Sequence, residues 1–158
     1  MATFTAARAA ATFPVAKPIG GGTLSAAWGT IEVAANPVAA DIYEMCRVPA
    51  GAVIVGGKIT GDDIDTNATE TLDLDVGWAA NGVDVADPDG LGNLGVMGTD
   101  TLAGIKPEAG YNYDLGGVLI TDGPKTLAAE TVITVTCVAT AATFAAGTLS
   151  VVVYYLNP

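Results

Sequence analysis

Seventeen carboxylates and no histidine frame the chemistry open to this chain. Histidine is the side chain that titrates near neutrality and the commonest metal ligand. Its absence removes Ser–His and Cys–His nucleophile pairs and most zinc sites. The only serines, Ser25 and Ser150, lie outside any G-x-S-x-G elbow. No G-x-x-x-x-G-K-[ST] or G-x-G-x-x-G phosphate cradle occurs. A carboxylate pair of the glycosidase kind is the remaining catalytic device, with Glu44, Glu108 or Glu130 as the acids. Sugar clefts need aromatic walls, and aromatic residues make up only 6% of the chain. Asp65-Thr66-Asn67 lacks the glycine of the D-[ST]-G protease signature. The sequence is therefore read as non-enzymatic and free of cofactors.

Ligand-binding groups are equally sparse. Asp62, Asp63 and Asp65 share one turn, and Asp84, Asp87, Asp89 and Asp100 populate a later loop. Hard cations favour such oxygens, but the twelve-residue calcium-loop spacing is missing, and aspartates suit turns for backbone reasons alone. They are read as solvated turn acids, with no metal. Cys46 and Cys137 match no metal or redox spacing. They are expected to be reduced and strand-borne, with one disulfide as the alternative if their strands are neighbours. The net charge is −11, and every acid lies at or beyond Glu32, while the first 31 residues carry only Arg8 and Lys17. Such a body repels nucleic acid. No apolar run reaches the length of a membrane span.

The elements that must position any site read as strands. Residues 1–22 form an arm that ends in Pro18-Ile19-Gly20-Gly21-Gly22, and 23–158 form the body. A helix over 5–12 is the one local alternative in the arm, whose apolar anchors are Phe4, Phe13, Val15 and Ile19. Arg8 interrupts any apolar leader core, so the arm is read as part of the mature protein. Strands are predicted over 23–34, 41–48, 52–60, 70–78, 118–121, 131–139 and 148–156. In 70–78, Leu72, Leu74 and Val76 alternate with Thr71, Asp73 and Asp75; the two aspartates are read as a solvated edge that discourages strand pairing. Residues 79–115 are expected to be irregular, with at most a short helix near Leu91–Met97. The last strand is apolar on both faces, which calls for a second layer or a subunit neighbour. Val152, Tyr154 and Leu156 are its candidate oligomer contacts. About eight strands with a long crossing connection point to an all-β, jelly-roll-like sandwich with an extended N-terminal arm.

Residues 43–59, Tyr43-Glu44-Met45-Cys46-Arg47-Val48-Pro49-Ala50-Gly51-Ala52 followed by Val53-Ile54-Val55-Gly56-Gly57-Lys58-Ile59, resemble the capsid decoration (cement) proteins of tailed bacteriophages. In that family, too, a strand ends in arginine, an apolar residue and Pro-Ala-Gly before a hydrophobic strand. An acidic Asn/Thr-rich turn then leads to a strand like Thr71–Trp78. The likeness covers about residues 40–80 well and the tail loosely. It implies a jelly-roll-type sandwich on the exterior of an icosahedral capsid, assembled in the host cytoplasm. Its implied partners are the major capsid protein and copies of itself, with a trimer favoured over a dimer. The arm residues Phe4, Arg8, Phe13, Val15, Lys17 and Ile19 are the candidate capsid contacts. The competing expectation is a carbohydrate- or receptor-binding sandwich using Trp28 or Trp78.

Overall fold

The computed structural model describes residues 1–13, 23–97, 110–116 and 123–157, and the described residues contain no helix. Ten strands follow in order: β1 (Thr3–Thr5), β2 (Leu24–Val33), β3 (Ile42–Val48), β4 (Val53–Asp62), β5 (Asp73–Trp78), β6 (Asp87–Val96), β7 (Gly110–Leu115), β8 (Lys125–Thr126), β9 (Thr131–Ala139) and β10 (Gly147–Leu156). Their pairing is nested. β5 pairs with β6, β4 with β7, β3 with β9 and β2 with β10, all antiparallel. Eight strands thus form one long two-stranded ribbon. β10 also pairs with β4 and β9 with β5, which rolls the ribbon into two sheets. The sheet orders are β1-β3-β9-β5-β6 and β2-β10-β4-β7, the winding of a jelly roll. β1 adds a parallel strand beside β3, and β8 adds two residues to β4.

Period-two patterning decides which side chains meet between the sheets. Leu74, Val76 and Trp78 of β5 stand opposite Cys137, Val135 and Ile133 of β9. Leu149, Val151, Val153 and Tyr155 of β10, Ile54 and Ile59 of β4, and Met45 and Val48 of β3 complete the core, all buried. Each large apolar side chain taken out of water contributes about 1.5–3 kcal/mol. The sheets close at the crossing of β2 and β3, where a Cβ on Gly29 would overlap the Met45 carbonyl oxygen.

Three expectations change. Residues 79–115 are not one irregular stretch: β6 and β7 lie within it, and 91–96 are strand rather than helix. β6 runs Asp-Pro-Asp-Gly-Leu-Gly-Asn-Leu-Gly-Val, and it is held by pairing to β5 rather than by local preference. Asp73 and Asp75 do not lie on an edge, because β5 sits between β9 and β6. Residues 6–13 form turns instead of a helix, with Ala6 and Ala9 buried. The Ala6 amide donates to the Glu44 carbonyl (2.7 Å), and Arg47 Nε donates to the Ala9 carbonyl (2.8 Å). The expected strand at 118–121 lies outside the described residues, as do arm residues 14–22.

One carboxylate ties the loops at one end of the sandwich. Asp65, expected to be a solvated turn acid, is instead fully buried, because its two oxygens accept five backbone amides. Thr71 (2.7 Å), Leu72 (3.1 Å) and Ala142 (3.0 Å) reach Oδ2; Thr143 (2.9 Å) and Asn67 (3.3 Å) reach Oδ1. The loop before β5 is thereby fastened to the loop between β9 and β10. Burial alone raises this carboxyl's pKa, but the amides of Thr71, Thr143, Ala142 and Leu72 override it and hold the group well below the usual carboxylate range.

Two substitutions test this account by urea unfolding. Gly29→Ala is expected to cost about 3 kcal/mol, because β2 must retreat from β3. Asp65→Asn is expected to cost on the order of 2–4 kcal/mol, since an amide NH2 cannot accept from converging N–H groups. A depressed folded pKa contributes stability above the unfolded value near 4 and loses it below. The gap between wild type and Asp65→Asn is therefore expected to narrow as pH falls below about 4; a gap constant from neutrality to acid contradicts the assignment.

Candidate functional site

Several of the candidate acids and both thiols are, among the described residues, tied into the fold. Glu44 Oε2 accepts from the Thr5 hydroxyl (2.9 Å), and Glu130 Oε1 accepts from Arg47 Nη1 (2.8 Å). Glu108 and Asp100 lie outside the described residues. Asp62 Oδ2 accepts from the Thr148 amide (2.8 Å). Asp84 accepts from Asn81 Nδ2 (2.7 Å), the Ala128 amide (2.8 Å) and Lys125 Nζ (3.4 Å), which hold its pKa below the ordinary value. Cys46 and Cys137 are free and buried. Burial pushes the Cys46 thiol up to about 12 and the Cys137 thiol up to about 11, so neither supplies a thiolate near neutrality. Trp78 is buried, its Nε1 donating to the Val85 carbonyl (3.0 Å), and offers no stacking platform.

What remains is surface. The inward side chains of β10 belong to the core, and the outward ones form a band with β2. Val152 lies opposite Trp28, Tyr154 opposite Ala26 and Leu156 opposite Leu24. Leu24 is 61% exposed, Trp28 45% and Tyr154 38%, while Val152 and Leu156 are half-buried. On the far side of β10, Lys58 of β4 stands opposite Val152 and pairs with Asp114 of β7 (2.6 Å). The candidate contacts Val152, Tyr154 and Leu156 thus share one sheet face. Leu24 and Trp28 enlarge it, and only the register of β2 against β10 reveals that, because the two strands lie far apart in the chain.

The described arm residues reach the rim of this face. Phe4 stacks on Tyr43, with ring centroids 5.1 Å apart, and the Ala2 amide donates to Asp41 Oδ1 (2.7 Å). The Arg8 guanidinium lies over Trp28 (3.8 Å to the ring centroid) and over Phe13 (4.8 Å). The segment therefore starts on β3 of one sheet and reaches β2 of the other. Val15, Lys17 and Ile19 fall outside the described residues. Among the described cations, Arg47, Lys58 and Lys125 are each paired with an acid and Arg8 is stacked on rings. The uncompensated charge of the described surface is negative.

No protein-family profile and no curated protein matches the chain. Solved structures do. A chain in the capsid of Ralstonia phage GP4 aligns with a TM-score of 0.76 at 22% identity, over 99% of both chains. A chain in the capsid asymmetric unit of cyanophage Pam1 aligns at 0.63 with 26% identity, over 94% of this chain and 96% of that one. A third, in the acidic stable capsid structure of Helicobacter pylori bacteriophage KHP30, aligns at 0.54 with 15% identity, over 88% and 92%. The fold is one found in phage capsids. Because the coverage is nearly complete on both sides, the likeness takes in the whole sandwich rather than a shared motif.

Arg8→Ala tests the join between segment and sheet. Loss of the cation–π contact is expected to cost only about 0.5–1 kcal/mol. It is expected to make Trp28 more accessible to acrylamide while Trp78 stays protected. Unchanged quenching means that Arg8 does not cover the ring.

Proposed function

We propose that this chain is a virion structural protein that binds the outer surface of an icosahedral phage capsid and staples neighbouring capsid subunits. The observation that carries the reading is the full-length match of its jelly roll to chains of solved phage capsids, one of them at 26% identity. The decoration role is supported by residues 40–80, which resemble cement proteins, and by the charge. A body of net charge −11 suits the exterior of a particle better than a DNA-filled interior. The partners in this reading are the major capsid protein and further copies of this chain, most simply as a trimer, with a dimer as the smaller closed alternative. Assembly takes place in the host cytoplasm.

The outer face of β2 and β10 supplies the self-association contact in this reading. Trp28 and Tyr154 are the type of large, amphipathic side chain that anchors interfaces. Phe4, Arg8 and Phe13, with Val15, Lys17 and Ile19 beyond them, make up the capsid-facing segment. Wholesale deletion of the arm is a poor test, because removing buried Ala6 and Ala9 also uncovers β3.

Point substitutions are cleaner. Wild-type protein is expected to scatter light as an oligomer and to co-sediment with undecorated shells but not with free capsid subunits. Tyr154→Asp is expected to lower the oligomer mass, since a buried unpaired charge at an interface costs several kcal/mol, roughly a hundredfold or more in association. Phe13→Ala is expected to weaken shell binding without changing the oligomer. A wild-type protein that stays monomeric and ignores shells sinks the proposal.

A further inference from the structure

On the β5–β6 pair, two neighbouring acids, Asp73 and Asp75, have no cationic partner among the described residues. Asp73 and Asp75 of β5 stand opposite Val96 and Asn93 of β6. Between Val76 and Trp78 the register jumps from Gly92 to Asp87, so residues 88–91 of β6 are left over as a bulge. The start of that bulge lies on β5 itself, because a Cβ on Gly77 would overlap the carbonyl of Asp87. With β6 and its bulge alongside, Asp75 is only 9% exposed. One carboxylate oxygen of Asp75 and one of Asp73 are buried with no hydrogen-bond partner among the described residues.

Among the described residues, the charges that act on Asp75 are negative. β5 contributes Asp73, and β6 contributes Asp89, which a side-chain hydrogen bond joins to Asp87. β9 presents Thr136 directly opposite Asp75 and Thr134 opposite Gly77, both uncharged. On β3, Glu44 is tied to Thr5. Lys125 of β8 acts on Asp87 but is held by Asp84 at 3.4 Å. A buried acceptor without a donor is expensive, and more so when ionised beside other carboxylates.

We propose that this cluster is a proton-operated clasp: a solvent proton taken up by Asp75 removes a buried negative charge beside Asp73 and Asp89 and so tightens edge strand β6 against β5 in mildly acidic solution. Burial, then Asp73 and then Asp89 push the Asp75 carboxyl up to about 6, against one backbone hydrogen bond from Leu94. Asp73 and Asp87 are displaced in the same direction, each chiefly by burial. A carboxyl whose folded pKa exceeds its unfolded one weakens the fold when ionised. The penalty is present at neutrality and is relieved as pH falls from about 6 toward the unfolded value near 4. Asp65 acts in the opposite sense, below that window.

The test uses the full-length chain and does not depend on capsid binding. The Asp75 carboxyl carbon is followed by NMR against pH, together with protection factors of the β6 amides. Asp75 is expected to titrate near 6, with β6 protection rising as pH drops from neutrality. Asp75→Asn is expected to show high β6 protection already at neutral pH and to lose the response. Asp73→Asn keeps Asp75 but removes a neighbouring charge, and is expected to lower the Asp75 midpoint. Titration of Asp75 at an ordinary carboxylate value, or an Asp75→Asn variant that keeps the wild-type pH response, overturns the proposal.

Discussion

The pairing of β10 between β2 and β4 is the constraint on which the second sheet depends. All ten of its residues stand in register against β2, and most of them also against β4. Its inward side chains, Leu149, Val151, Val153 and Tyr155, are buried against the opposite sheet. Without β10, β2 loses its only strand partner among the described residues. The outward side chains of the same strand then have no neighbour with which to make a face. Core and surface are therefore two sides of one strand, and the alternation that separates them is set by the pleat.

Charge is distributed by a related economy. Loops are fastened by carboxylates that accept backbone amides: Asp65 at one end, Asp41 under the N-terminal segment and Asp84 beside β8. These acids work because they are ionised and surrounded by donors. Asp75 has the same chemical group in the opposite surroundings, beside Asp73 and Asp89 and with one oxygen that no described residue donates to. The difference lies in the local geometry of N–H groups rather than in residue type, so counting acids along the chain does not separate the two kinds.

Much of the architecture is legible in local pattern. The alternations Leu72-Leu74-Val76, Ile133-Val135-Cys137 and Leu149-Val151-Val153 mark β5, β9 and β10, and turn residues such as Pro49-Ala50-Gly51 separate the strands. What stays hidden depends on residues far apart in the chain. β6 lacks β-branched residues until its end and exists because β5 offers it a ladder. Residues 6–13 read as an extended arm or a short helix, but Glu44 and Arg47 dock them as turns. Trp28 becomes part of an exposed apolar face only through its register with Val152, and Asp65 becomes a fastener only because residues 142 and 143 return to it. The missing histidine, by contrast, is read from composition alone and requires no geometry.

Nested pairing also orders events in time. Closing a loop costs more entropy the longer it is, so the short β5–β6 pair is the least demanding to form and the β2–β10 pair the most. The apolar band of Leu24, Trp28, Val152 and Tyr154 is built across that outermost pair. A chain caught partway through folding has no such band to offer. The exposed face is thereby made conditional on completion: it is assembled only when the rest of the ribbon has already been rolled.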